Sequence, residues 1–229
     1  MISVVIPSLN EEADLAHTLA ALVPAAVDGL ISEVVIADGG STDRTAEIAD
    51  AAGASFIRTE RGRGQQLAEG ARHAKGSWLL FLHADTILQP DWVTDAMALI
   101  RAVESGVRPE TAGVFRFALS DEGLRAACLT GIVRLRCAVL RMPYGDQGLL
   151  ISRRLYDEVG GFRPMALMED VDFIRRLGRK RLMFFRSLAV TSARRYRTDG
   201  YFRRTLRNLA CLGLFYLNLP PRLLARLYG

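Results

Sequence analysis

The sequence predicts an α/β fold: a doubly wound, mostly parallel sheet with helices on both faces and a helical extension at the C-terminal end. Two observations carry the prediction. Through the first half of the 229 residues, short apolar runs rich in β-branched residues alternate with segments whose apolar residues recur at helical spacing. Runs without polar alternation are strands covered on both faces, the usual condition of a parallel sheet. In addition, polar residues able to bind or react follow several of these runs directly, at the strand ends where such sheets hold their ligands.

The first strand spans residues 2–6 and ends at Pro7, and a helix follows through Leu15, Leu19, Leu22 and Val23. A second strand spans 33–37, a helix over 43–52 stops at Gly53, and a third strand spans 54–57. Residues 65–75 form a helix that Gly76 ends, 78–82 a fourth strand, and 91–103 a helix entered after Pro90. The second half is less regular. A strand is expected at 114–119. Leu124, Cys128, Ile132, Leu135 and Val139 recur at helical spacing and predict an amphipathic helix over 123–141. A loop over 142–148 precedes a strand at 149–152, a helix starts at Glu169, and 183–190 is strand-like. An Arg- and Leu-rich helix runs from Tyr201 and is interrupted at Pro220-Pro221. No repeat or linker divides the chain, so 1–229 is expected to be a single domain whose halves, 1–112 and 113–229, differ in charge and pattern.

Composition removes several function classes. Half of the residues are apolar and 24% are charged, which excludes a disordered chain. Cys128, Cys137 and Cys211 stand far apart with no CxxC pair, against a disulfide scaffold or structural zinc site and for a reducing, cytoplasmic setting. The N-terminal apolar run has no basic segment ahead of it and turns acidic at Glu11-Glu12, unlike a signal peptide. The longest late apolar stretch, 209–219, is about half of the ~20 residues that span a bilayer. The net charge of +5 hides a division: residues 1–115 carry 8 basic and 16 acidic side chains, residues 116–229 carry 22 and 9. All basic residues but Lys75 and Lys180 are Arg. A forked guanidinium suits phosphate oxygens, and biased codon usage gives the same excess.

Four polar clusters follow predicted strands or open a helix: Pro7-Ser8-Leu9-Asn10-Glu11-Glu12, Asp38-Gly39-Gly40-Ser41-Thr42-Asp43, His83-Ala84-Asp85 and Met168-Glu169-Asp170. Each has a plain structural reading. Asn10, Thr42 or Asp43 can cap a helix, and Gly39-Gly40-Ser41 can be a turn. Asp85, directly after the apolar run WLLFL, is harder to explain that way. A carboxylate there, beside His83, suits a hard divalent cation shared with phosphate oxygens. Glu169 and Asp170 fall in a first helical turn, where the dipole favours an ionised carboxylate. The GRG of ERGRGQQ is not a GxGxxG fingerprint, and no GxxxxGK[ST] loop is present, which lowers the case for an NAD enzyme or an ATPase.

Taken in order, VVIPSLNEE, VVIADGGSTDRT about 30 residues on, FLHADT some 45 further, and the later GGF…MEDVDFIRRL resemble the inverting family 2 glycosyltransferases over most of residues 1–180. HAD in place of DxD, together with YGDQG, resembles a small bacterial subgroup. The resemblance implies a Rossmann-like GT-A fold. It also implies sugar transfer from a nucleotide-diphosphate donor, UDP- or GDP-linked, to a free or lipid-linked hydroxyl acceptor, with Mn²⁺ or Mg²⁺. By the same resemblance Pro7, Leu9 and Glu11 line the nucleoside pocket and Asp38 sits against the base or ribose. Arg61, Gly62 and Gly64 approach the nucleotide or its phosphates, and Asp85 holds the metal. Gly39 replaces the second acid of the DDGS pattern, so base selectivity stays open. His83 replaces the first acid of DxD and is open as a ligand to a softer ion, a hydrogen-bond partner of the sugar, or a strand-end His with no ligand. Asp170 becomes the general base. Glu169 orients the acceptor or caps the helix, and Asp172 is a surface residue. Asp146 and Gln147 face the acceptor or form a turn. Arg194 and Arg195 lie in a stretch read as a flexible loop, which either closes over the diphosphate or is a solvated basic face.

The basic second half has no zinc knuckle, RNP-like aromatic pair or helix-turn-helix signature, so nucleic acid is not expected. Arg interleaved with Leu and aromatic residues from Tyr201 suits a helix lying on the inner face of a membrane. It equally suits a homodimer contact or packing on the chain's own core. Two rivals to a transferase remain. One is a sugar nucleotidyltransferase, whose GxGTRL-type signature Pro7-Ser8-Leu9-Asn10 is not; the other is a non-catalytic nucleotide-sugar-binding scaffold.

Overall fold

A computed structural model describes residues 1–140, 142–217, 219, 223 and 224, with backbone only for 138–140. The first half runs β1 (Ile2–Ser8), α1 (Leu15–Val27), β2 (Ile31–Asp38), α2 (Thr45–Ala51), β3 (Ser55–Arg58), α3 (Arg63–His73), β4 (Trp78–Phe81), β5 (Thr86–Leu88) and α4 (Trp92–Glu104). The second half runs β6 (Ala112–Leu119), α5 (Leu124–Leu140), β7 (Leu149–Ser152), α6 (Arg153–Glu158), α7 (Glu169–Leu177), β8 (Leu182–Thr191), α8 (Arg194–Asp199) and α9 (Tyr201–Tyr216).

All of these strands join one sheet in the order β3-β2-β1-β4-β7-β6-β8-β5. The β3-β2-β1-β4 block is parallel, β6 and β8 pair in parallel, and β7 and β5 run antiparallel to their neighbours. The carboxyl ends of β1, β2, β4 and β8 therefore share one edge with the amino end of β7. Every polar cluster read from the sequence reaches that edge, apart from the helix-borne Glu169-Asp170, which a loop brings to it.

The alternation of β1 shows why both faces are covered. Ile2, Val4 and Ile6 point to one side, against Leu15, Leu19 and Leu22 of α1 and Trp92 and Leu99 of α4. Val5 points to the other, against Leu67 and Ala71 of α3 and Phe173 of α7. α3 lies close to the sheet because Gly70 lacks a side chain: a Cβ there would stand 2.4 Å from a Val5 methyl carbon.

Several elements differ from expectation. β5 and α6 are too short to leave a periodic signal. The helix over α5 forms, but its buried face is Ala126, Leu129, Val133 and Cys137. The apolar residues that predicted it, Leu124, Cys128, Ile132 and Leu135, face solvent; both stripes have helical spacing, and spacing alone does not say which one meets the sheet. The Val139 side chain, Arg141 and Pro220-Pro221 lie outside the described residues. Residues 194–197 are not a loop: they form most of α8. Among the described residues no helix is long and apolar enough to cross a membrane.

Candidate active site

The loops after β1 and β2 are locked to each other. Asn10 N–H donates to the Ser41 hydroxyl, and Thr42 N–H donates back to the Asn10 side chain. Glu12 N–H donates to Asp43 and Arg44 N–H to Glu12, at 3.0 Å each. Asp38 is 1% exposed. Its carboxylate accepts the Ser8 and Ser41 hydroxyls and the N–H groups of Gly40 and Ser41. Four donors leave Asp38 holding the turn, and it does not line the adjoining cleft. Beneath it the buried Gln66 amide donates to the carbonyls of Ser8 (2.7 Å) and Ala37 (2.8 Å) and ties the two strand ends together.

These loops form one wall of a cleft of about 560 Å³, lined among others by Pro7, Leu9, Glu11, Arg61, His83 and Asp85. Ala166 and Leu167 close it from the segment before α7, and Arg195 of α8 reaches over it. Arg195 pairs with Glu11, whose burial pushes its carboxyl up while that guanidinium opposes the shift. Arg194 pairs with Asp14 at 2.9 Å. Gly64 lies elsewhere than expected. A Cβ on it would stand 2.3 Å from the Arg163 carbonyl, and its N–H donates to the Met165 carbonyl, so this glycine lets α3 seat the 163–165 segment.

A second cavity, about 150 Å³, shares Arg63, His83, Asp85, Leu167 and Arg195 with the cleft. Asp146, Glu169 and Asp170 line it, and Arg204, Asn208 and Leu212 of α9 form its far wall. Met168, at φ +66°, takes a left-handed turn that a side chain seldom adopts, and this aims the first turn of α7 into the cavity. Asp170 accepts N–H bonds from Gly145 (2.8 Å) on one oxygen and from Val171 (2.7 Å) on the other. Glu169 is 1% exposed and lies 3.2 Å from Arg63 Nε. Burial pushes it up to about 7, against the pull of Arg63 and with the help of Asp170. Gln147 is buried and structural: its amide donates to the Phe115 carbonyl and its oxygen accepts from Tyr144 N–H. Asp172 is not a free surface acid; it anchors Arg176 at 2.8 Å and Arg163 at 3.2 Å.

Arg63 and Gln66 went unread as site residues because nothing in ERGRGQQ says which of its side chains turn inward. Arg63 links both cavities. Its Nη2 donates to His83 Nδ1 at 3.1 Å. A guanidinium can only donate, so His83 carries its proton on Nε2, a buried atom with no partner among the described residues. Burial, Arg63 and Arg195 hold His83 well below the usual imidazole range, so it is neutral.

Asp85 suits one arm of a cation site. Its Oδ1 has only distant neighbours, the Thr86 hydroxyl at 3.4 Å and His83 Nδ1 at 3.7 Å, and its Oδ2 takes no hydrogen bond among the described residues. Among those residues no three His, Cys, Asp or Glu side chains converge on one point. A cation here would therefore complete its shell with ligand oxygens and water, as Mg²⁺ commonly does.

Asp146 yields a test of this electrostatic arrangement. Its Oδ1 is buried without a partner among the described residues, and burial pushes the carboxyl up to about 6. Between the unfolded pKa near 3.9 and that value the native state binds more protons than the unfolded chain, so stability falls as pH rises through the window. Asp146→Asn is expected to flatten that fall and to raise stability at pH 8 by about 2 kcal/mol, allowing for partial exposure. Urea unfolding at pH 4.5 and pH 8 measures it; an unchanged pH dependence would refute the assignment.

A mostly parallel sheet with a polar cleft at its strand ends, and acids meeting at the end of β4, defines the Rossmann-like GT-A class of nucleotide-sugar-binding folds. Within that class the chain belongs to glycosyl transferase family 2, whose sequence profile matches residues 3–124. Curated relatives include the glucosyl-3-phosphoglycerate synthase of Mycobacterium tuberculosis (strain ATCC 25618 / H37Rv), 36% identical over 95 residues, which are 38% of this chain and 29% of that protein. A PGL/p-HBAD biosynthesis glycosyltransferase of Mycobacterium bovis (strain BCG / Pasteur 1173P2) is 33% identical over 115 residues, 44% of this chain and 41% of that one. These matches span less than half the length of either relative. Solved structures of the M. tuberculosis synthase superpose with a TM-score of 0.59 at 25% identity, over 84% of this chain and 70% of that one. One holds Mn²⁺, UDP and glucosyl-3-phosphoglycerate, another Mn²⁺, UDP-glucose and glycerol 3-phosphate.

Proposed function

We propose that the protein is a metal-dependent, inverting glycosyltransferase. In this reading residues 1–112 form the donor half, residues 113–229 the acceptor half, and the nucleotide-diphosphate sugar occupies the larger cleft. The observation that carries the reading is that cleft and cavity meet at His83–Asp85, with the Asp170 carboxyl on the cavity side. UDP- or GDP-linked donors both suit the chemistry, and the relatives bound to UDP and UDP-glucose support the first. Pro7 and Leu9 flank the nucleoside, and Arg61, Arg63 and Arg195 offer guanidinium groups to the diphosphate. Arg194, tied to Asp14, steadies the same helix. Asp38 acts on the nucleotide through the loop it holds and not by direct contact. Asp85 holds Mn²⁺ or Mg²⁺, which when bound offsets the charge of the departing nucleoside diphosphate.

The acceptor hydroxyl enters the smaller cavity. Asp170 takes its proton while the oxygen forms a bond to the anomeric carbon and the carbon–oxygen bond to the diphosphate breaks on the opposite face, inverting that centre. His83, neutral and with a free Nε2–H, donates to substrate oxygen and does not ligate the metal while Arg63 occupies Nδ1. Glu169, paired with Arg63, fixes that guanidinium. Asp146 supplies a second reading of the base, because its unpartnered oxygen faces the same cavity. The three cysteines are free, which supports a cytoplasmic setting.

Thermal unfolding with nucleotide sugars, with and without Mn²⁺, tests the donor assignment, since a ligand of the native state raises Tm by mass action. The expected result is a shift with UDP-glucose that needs Mn²⁺ and is lost in Asp85→Ala. A metal-independent shift, or one kept in Asp85→Ala, would remove Asp85 from the metal. No shift with any donor would favour a scaffold.

A further inference from the structure

We propose that α5 and α9 together form a two-helix face that seats the protein on an anionic lipid bilayer, and that the acceptor is carried by that bilayer. The second clause rests on the transferase reading; the first does not. α5 turns Leu124, Ile132 and Leu135 to solvent, at 90%, 49% and 65% exposure. α9 does the same with Phe202, Leu206 and Leu209, at 81%, 56% and 53%, a spacing that sets them in one stripe. Soluble monomers seldom leave such stripes uncovered.

The two helices run in the same direction and are tied at both ends. The Tyr201 hydroxyl at the start of α9 donates to Asp121, just ahead of α5, and the Tyr216 hydroxyl at its end reaches Met142 Sδ at 3.3 Å, just beyond α5. Neither helix contains an Asp or Glu. Arg125, Arg134 and Arg203 are exposed and make no ion pair among the described residues. Apolar stripes flanked within their own helices only by positive charge complement an anionic leaflet. The same charges oppose a second copy, because a two-fold contact would set Arg against Arg. The inner face of α9 lines the acceptor cavity through Arg204, Asn208 and Leu212. One helix therefore turns different sides to the cavity and to the proposed bilayer, which sets the two one helix diameter, roughly 10 Å, apart.

The test is co-sedimentation with vesicles of phosphatidylcholine alone or mixed with phosphatidylglycerol, without donor or metal. The expected result is binding to the anionic vesicles only, weakened by salt, and reduced at least about tenfold in Leu206→Glu/Leu209→Glu. A second variant, Arg125→Glu/Arg134→Glu/Arg203→Glu, alters only exposed side chains and should lose the same binding with its circular dichroism unchanged. Equal binding by wild type and either folded variant overturns the proposal. So does absence of anionic-vesicle binding, in particular if light scattering then finds a dimer that the Leu206→Glu/Leu209→Glu variant dissociates. The donor-induced Tm shift is measured separately: loss of vesicle binding with that shift intact rejects the membrane face alone, and the reverse rejects the transferase alone.

Discussion

Asp170→Asn is expected to lower kcat by about 10²–10⁴-fold while leaving donor affinity nearly unchanged. The amide keeps the size of the carboxylate and can still accept from Gly145 or Val171 N–H, so the α7 entry turn persists. What it loses is the capacity to take a proton. Glu169 lines the same cavity but is paired with Arg63, and Asp146 is the neighbouring acid able to take the role in place of Asp170. Steady-state rates beside a donor-binding titration separate the two quantities. Near wild-type turnover in Asp170→Asn, together with its loss in Asp146→Asn, would transfer the role to Asp146.

Arg63→Met is expected to cost up to about 2 kcal/mol at pH 8.5, because it leaves the buried Glu169 without a counter-charge and the group must take up a proton. Glu169 already sits at about 7 with Arg63 in place. Removing that opposing charge raises it further, but near pH 5.5 the native group is already protonated with or without Arg63, so the cost shrinks. The loss should therefore grow with pH. Adding Glu169→Gln should restore most of the stability, since no charge is then left uncompensated. Denaturant unfolding of the single and double variants at both pH values decides it; a loss independent of pH and unrepaired by Glu169→Gln would mean that Arg63 acts by packing alone.

The layered fold was legible because β1, β2 and β4 are buried on both faces and carry no polar alternation to confuse them with helices. The site was legible where a cluster follows a strand: Pro7, Glu11, His83 and Asp85 all reach the cleft. It was less legible where a polar residue serves the backbone. Nothing in the ADGGSTD motif distinguishes an Asp38 that contacts ligand from one that accepts four hydrogen bonds from its own loop. Asn10, Glu12 and Asp43 likewise look available in sequence and are spent on reciprocal capping. Arg63 and Gln66 were hidden for the opposite reason. Their function lies in long-range contacts, to Glu169 and to two strand ends, that no local pattern encodes. The α5 face was misread because its two apolar stripes are equally periodic and only the sheet chooses between them.

The wall that α9 contributes has a consequence for how such a protein can diversify. The larger cleft takes every lining residue from positions 7–195, whereas the smaller cavity also depends on Arg204, Asn208 and Leu212. In the proposed reading, part of acceptor recognition is thus written in a stretch of chain that the donor cleft does not use, although five residues line both. Exchanging α9 between homologues should transplant acceptor preference while the nucleotide chemistry stays with the host, so acceptor choice can drift under selection without passing through forms that have lost their donor.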